Sequence, residues 1–364
     1  MESEPIRKRK RERELKAKVK SAVVTVFLDR EACTGHNAAF SEAEAAALGV
    51  LDMPSRVEML LERLASMRDG GLVEVVESSR EATEGEILRA CGSKYLQYLA
   101  EDSGKGKFLD KDETTLFLPQ KTFIYAKRAA AATIDAALHV LREPQPKARA
   151  FCMVRPPGHH NSCSDAIEED FDVDNPIGNF VWGCHGGCIL NNVAIAARAV
   201  QRESGGKIFI LDIDAHFGDG TAILFKDDEN ILTVSIHEDQ TNGYYPFLDG
   251  SAAETEHYRS MINVPLPPET DDERAFAILS SLRIAEQLRS FNPDFVFVAC
   301  GFDGLASDES STLRFTPSFY SRIMKEFVLF CPRVLAVLEG GYPSAKEPAA
   351  MADAFETVVS CLSL

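Results

Sequence analysis

The chain has 364 residues, 45% of them hydrophobic and 26% charged, which suits a globular α/β body with a large core. No apolar run reaches the roughly 18 residues of a membrane span, and the basic N-terminus leads into no apolar segment of the secretory kind. The net charge is −17, yet residues 1–20 carry nine Lys or Arg against four Glu, so the remainder is at −22. An acidic body of this kind argues against direct nucleic-acid binding and suits cationic partners.

In chain order, residues 1–20 read as a basic tail. Its run Arg7-Lys8-Arg9-Lys10-Arg11 is either a nuclear-import address or a solvated extension. From residue 21 onwards, short β-branched runs alternate with segments of helical period. That pattern predicts one α/β domain, residues 21–364, of three layers: a mostly parallel sheet flanked by helices. The expected strands are Ala22–Leu28, Leu72–Val76, Ala148–Val154, Lys207–Asp212, Ile231–Ile236, Phe295–Ala299 and Val334–Leu338. The expected helices include Arg56–Ser66, Glu84–Cys91, Lys121–Leu141, Asn191–Glu203, Asp272–Ser290, Pro317–Cys331 and Lys346–Leu362. One stretch, 161–185, breaks the alternation with an acidic insert holding Asp165, Glu168, Glu169, Asp170, Asp172 and Asp174. Nine cysteines occur without a CxxC pair, which predicts free thiols in a reducing compartment.

Ligands of an open parallel sheet bind beyond the C-terminal ends of its strands. Four expected strands end in polar, glycine-rich segments: Arg155-Pro156-Pro157-Gly158-His159-His160, Ile213-Asp214-Ala215-His216-Phe217-Gly218-Asp219, Cys300-Gly301-Phe302-Asp303 and Glu339-Gly340-Gly341-Tyr342. Asp214 and His216, two apart on extended chain, point the same way. With Asp303 they make an Asp/His/Asp set that leaves a coordination position open, as a catalytic divalent metal requires. The set also tolerates Fe²⁺ or Co²⁺. His159 and His160 lie outside that set and suit proton transfer near neutral pH. Each needs a carboxylate to fix its tautomer, and Asp212 and Asp219 flank the metal segment. A phenol at Tyr342, behind two glycines, can donate to a developing oxyanion.

Together, RPPGHH, DIDAHFGDGT, ACGFD and LEGGY resemble the signatures of the histone deacetylase family and its arginase-like relatives, in the same order. Pro54-Ser55-Arg56-Val57-Glu58 and Cys188-Ile189-Leu190-Asn191-Asn192-Val193-Ala194 are similar to further family segments, so the resemblance spans residues 20–364. It implies Zn²⁺ on Asp214, His216 and Asp303. It also implies an acid/base pair of His159 backed by Asp212 and His160 backed by Asp219, with Tyr342 polarising an acetyl carbonyl. A structural K⁺ is implied beside Asp212 and Ser235, with backbone carbonyls of Asp214, His216 and Ile236. Tyr245 becomes a candidate for the substrate tunnel. The family's Gly-Phe-Cys is here Gly186-Gly187-Cys188, so Gly187 replaces a tunnel aromatic and Trp182 is the candidate substitute. The expected reaction is zinc-dependent hydrolysis of acetylated amines. Its substrate is acetyl-lysine in proteins such as histones, which would connect the chain to chromatin regulation in nucleus or cytoplasm. The alternatives are an acetylpolyamine amidohydrolase, a silent acetyl-lysine-binding scaffold, and an arginase-like binuclear manganese hydrolase that would want more Asp and His.

Overall fold

A computed structural model describes residues 23–364 apart from 39, 48–49, 103–106, 109–116, 119–120, 145–147, 164, 166–184, 240–244, 247–249, 253–259 and 345. The basic tail, Trp182 and every insert carboxylate except Asp165 lie outside the described residues.

Eight strands form one sheet: β1 (Val24–Leu28), β2 (Val73–Glu77), β5 (Ala148–Met153), β6 (Ile208–Asp212), β7 (Ile231–Glu238), β8 (Met261–Leu266), β9 (Phe295–Cys300) and β10 (Arg333–Leu338). Strands β3 (Lys107–Phe108) and β4 (Phe117–Leu118) pair separately as a small antiparallel ribbon. The order across the sheet is β2-β1-β5-β10-β9-β6-β7-β8, and every neighbouring pair is parallel. The central strands are buried on both faces, so alternate residues feed two separate cores. Val296 and Val298 of β9 join Val334, Ala336 and Leu338 of β10 and the inner faces of helices Ser55–Asp69 and Ala350–Leu362. Phe295 and Phe297 with Leu335 and Val337 point the other way, onto helices Thr122–Arg142 and Asn192–Ser204. Ala129–Ala132, Ala136 and Ala137 are fully buried there, and small side chains let those two helices and the sheet approach closely.

Expected and observed elements differ where tertiary packing decides. β8 is an additional edge strand, and its Pro265 disguised it in the sequence because proline removes a ladder donor. The expected helix Asp272–Ser290 is two helices, Asp272–Ser281 and Ile284–Phe291, broken where Arg283 takes a left-handed φ of 54°. Helix Glu84–Cys91 shortens to Glu84–Ile87, and the last helix starts at Ala350 rather than at Lys346. Among the described residues, no helix is long and apolar enough to cross a membrane. Eight cysteines are described, all buried and none in a disulfide.

Candidate active site

The four polar strand ends belong to β5, β10, β9 and β6, which are consecutive in the sheet. Their C-terminal segments therefore meet in one place. They line a pocket of about 260 Å³ whose walls include His159, His160, Asp214, His216, Asp303, Gly340 and Tyr342.

At its floor the ligating atoms of Asp214, His216 and Asp303 all lie within 4.8 Å of one another. His216 Nδ1 is 3.0 Å from Asp214 Oδ1 and 3.0 Å from Asp303 Oδ2. Backbone amides hold the outer carboxylate oxygens: Gly340 N donates to Asp214 Oδ2 (2.8 Å) and Ala215 N to Asp303 Oδ1 (2.8 Å). The glycines here are a steric requirement. A Cβ on Gly301 would sit 2.2 Å from Asp214 Oδ2, and one on Gly340 would sit 2.4 Å from both Asp214 Oδ2 and Asp303 Oδ2. Two carboxylates and one imidazole, pre-aimed at a common point and without a cysteine, fit a divalent ion with an open position. Burial and the neighbouring Asp214 charge push the Asp303 carboxyl up to about 7. Burial works against a charged His216, but its hydrogen bonds to the Asp214 and Asp303 carboxylates outweigh it and lift the imidazole to about 10.

Beside this cluster stand the two histidines, ring centroids 4.0 Å apart. His159 Nδ1 is 3.0 Å from Asp212 Oδ2, and His160 Nδ1 is 2.7 Å from Asp219 Oδ1. Their environments diverge. Burial disfavours charge on His159, yet Asp214 and Asp212 overcome it and raise its pKa well above the ordinary value. His160, buried next to the charge on His159, is lowered to about 3. Tyr342 stacks under the Arg56 guanidinium, 4.8 Å from the ring centroid, and burial raises its phenol well above 10. Asp212 and Ser235, the side chains expected around K⁺, are paired across β6 and β7, with Ile236 next in line. The Ser235 hydroxyl is 2.9 Å from His237 Nδ1.

Sequence reasoning assigned no role to a buried ionic network under the pocket. Asp52 Oδ1 accepts from Arg155 Nε (2.7 Å) and from Arg56 Nη1. Arg56 Nε donates to Gly341 O (2.7 Å), so it grips the turn that presents Tyr342. Glu339 Oε2 accepts from the amides of Gly158 (2.7 Å) and His159 (3.2 Å), tying β10 to the histidine turn. An Arg and a Glu at the ends of apolar strands were the available signal.

Of the expected insert 161–185, residues 161–163, 165 and 185 are described. Asn161–Cys163 and His185 are buried. Asp165 accepts from the amides of Ser93, Lys94 and Tyr95, so this one insert carboxylate is engaged at a helix start. Tyr245 and Gly187 both line the pocket. Gly187 has φ 75°, and a Cβ there would meet nothing closer than Asp52 Cβ at 3.8 Å. The missing aromatic thus coincides with a left-handed turn that a larger residue adopts only with strain.

The Histone deacetylase domain model matches residues 51–358. The chain belongs to the histone deacetylase family. It is 31% identical over 300 residues to a probable deacetylase of Archaeoglobus fulgidus, covering 79% of this chain and 76% of that protein. It is 30% identical over 305 residues to the human polyamine deacetylase HDAC10, covering 80% of this chain and 42% of that one. Histone deacetylase 6 of Caenorhabditis elegans is 28% identical over 305 residues, and the match spans 30% of its length. The solved HDA15 HD domain superposes with a TM-score of 0.77 at 24% identity, covering 94% of this chain and 90% of that one, which establishes the shared fold.

Proposed function

We propose that this deacetylase-family chain hydrolyses N-acetylated amines with a zinc ion held by Asp214, His216 and Asp303. One observation carries the reading: the carboxylate–imidazole cluster, the paired histidines with carboxylates behind them, and Tyr342 all face one pocket. A zinc ion bound there supplies a Lewis acid that polarises the amide carbonyl and acidifies a water. His160, kept neutral, takes the proton of the attacking water and returns it to the amine nitrogen as the C–N bond breaks. His159, between Asp212 and Asp214, supplies positive charge beside the reacting carbonyl. Tyr342 donates its hydroxyl to the oxyanion. Acetate and a free amine are the products. Asp212 and Ser235, with the carbonyls of Asp214, His216 and Ile236, are the proposed surroundings of a structural K⁺.

The substrate is acetyl-lysine in proteins, with the pocket walls Gly187 and Tyr245 flanking its methylenes. Similarity to HDAC10, described as a polyamine deacetylase, supports acetylpolyamines as the second reading, and the acidic body suits either cation. Turnover of acetyl-lysine peptides, longer acyl-lysines and acetylated spermidine or putrescine by the purified zinc-loaded chain separates them. The expected result is the highest kcat/KM on acetyl-lysine peptides. A preference of tenfold or so for acetylpolyamines reverses the assignment.

A further inference from the structure

Asp219 has an imidazole on each oxygen. His160 Nδ1 lies 2.7 Å from Oδ1, and His185 Nε2 lies 2.8 Å from Oδ2. The other nitrogen of His185 meets the Tyr245 hydroxyl. Asp219 is 3% exposed and His185 fully buried, so water does not supply these partners. The rings form one block: His160 and His185 centroids are 4.7 Å apart, and Tyr245 stands edge-on to His160 at 5.3 Å and to His216 at 5.8 Å. The block closes because residue 186 is glycine. A Cβ there would come 2.5 Å from His160 Cδ2 and 3.0 Å from the Tyr245 oxygen.

The chemistry of the carboxylate fixes the direction of the two bonds to Asp219. An ionised carboxylate only accepts, so both nitrogens facing Asp219 carry hydrogen. In its neutral form, His185 with its proton on Nε2 has a lone pair on Nδ1 that accepts from the Tyr245 hydroxyl. His160 is protonated on Nδ1 and keeps its lone pair on Nε2, the nitrogen turned away from Asp219. The bonds then run Tyr245 → His185 → Asp219 ← His160.

We infer that His185 is a positioning residue for His160: it completes Asp219, sets the His160 tautomer and anchors the Tyr245 wall to the same carboxylate. The kinetic consequence rests on the proposed role of His160 as the base, whereas the tautomer does not. Removing His185 takes away the nitrogen that meets Asp219 Oδ2 and the one that meets the Tyr245 hydroxyl. The His160 ring is then held from one side of a carboxylate free to turn.

The test uses the zinc-loaded full chain, as wild type, His185→Leu, His185→Gln and Tyr245→Phe. Imidazole ¹⁵N NMR reads the tautomers directly and needs no substrate, so it separates failure of this inference from failure of the hydrolase reading. The wild type shows His160 with its proton on Nδ1 and His185 with its proton on Nε2, and His185→Leu loses the single His160 tautomer. In turnover, His185→Leu lowers kcat about 10–100-fold, the cost typical of losing a group that orients a catalytic ligand, with KM and zinc content nearly unchanged. His185→Gln, which has both a donor and an acceptor, recovers most of that loss. Tyr245→Phe costs a few-fold in the wild type and nothing further in the His185→Leu background, as members of one chain do. Wild-type kcat in His185→Leu, a loss confined to KM, or an unchanged His160 tautomer overturns the inference. So does a second tightly bound metal equivalent that disappears with His185. If His185→Leu does not fold, His185→Ala, smaller and equally unable to hydrogen-bond, carries the same tests.

Discussion

Tyr342 offers the clearest test of a single side chain. Its backbone amide donates to Asp308 Oδ2 (2.6 Å), and Arg56 packs on its ring, so the phenol is placed before any substrate arrives. Tyr342→Phe removes one hydroxyl and almost no volume. The expected loss is about 2–4 kcal/mol of activation free energy, as for an oxyanion donor. It should fall on kcat, with KM little changed, in steady-state assays of an acetyl-lysine peptide. An unchanged kcat makes Tyr342 a packing residue. The candidate residues were readable at this scale because His, Asp and Tyr are costly at the ends of apolar strands unless they do something. His185 was not readable, because it stands inside an irregular acidic stretch with no periodicity. Only its position before Gly186-Gly187 set it apart.

At the scale of elements, the network on Asp52 fastens the loop before helix Ser55–Asp69 to the turns after β5 and β10. Burial alone would raise the Asp52 carboxyl, but Arg155 and Arg56 outweigh it and hold it well below the usual carboxylate range. A depressed folded-state pKa contributes stability that is present above the unfolded value of roughly 4 and lost as pH falls towards the folded value. Asp52→Asn leaves two buried guanidiniums short of a counter-charge and should cost about 3–5 kcal/mol at pH 7 in denaturant unfolding. The difference from wild type should narrow steadily below pH 4, because protonation then removes the same charge from the parent. A difference independent of pH would assign the cost to packing. Strand positions followed from continuous apolar runs, since a strand buried on both faces must be apolar throughout. The break at Arg283 did not, because Ser280-Ser281-Leu282-Arg283 contains neither Gly nor Pro. Edge strand β8 lost its signal to Pro265.

For the whole molecule, the decisive feature is topological. Four strands separated by up to 185 residues in sequence, from Ala148 to Arg333, lie side by side, and only their C-terminal ends carry the polar segments. The alternation of strands and helices made the parallel sheet legible, while strand order, and with it the gathering of the proposed ligands, came from the fold. The proposed chemistry depends on that gathering at Asp214, His216 and Asp303. The most direct measurement is a titration of metal-free protein with Zn²⁺, following bound metal by elemental analysis and hydrolysis of an acetyl-lysine peptide in the same samples. Activity should rise with one tightly bound equivalent, and Asp303→Ala should lose the bound zinc and the activity together. Full hydrolysis by metal-free protein, or full zinc occupancy in folded Asp303→Ala, would contradict the proposed chemistry.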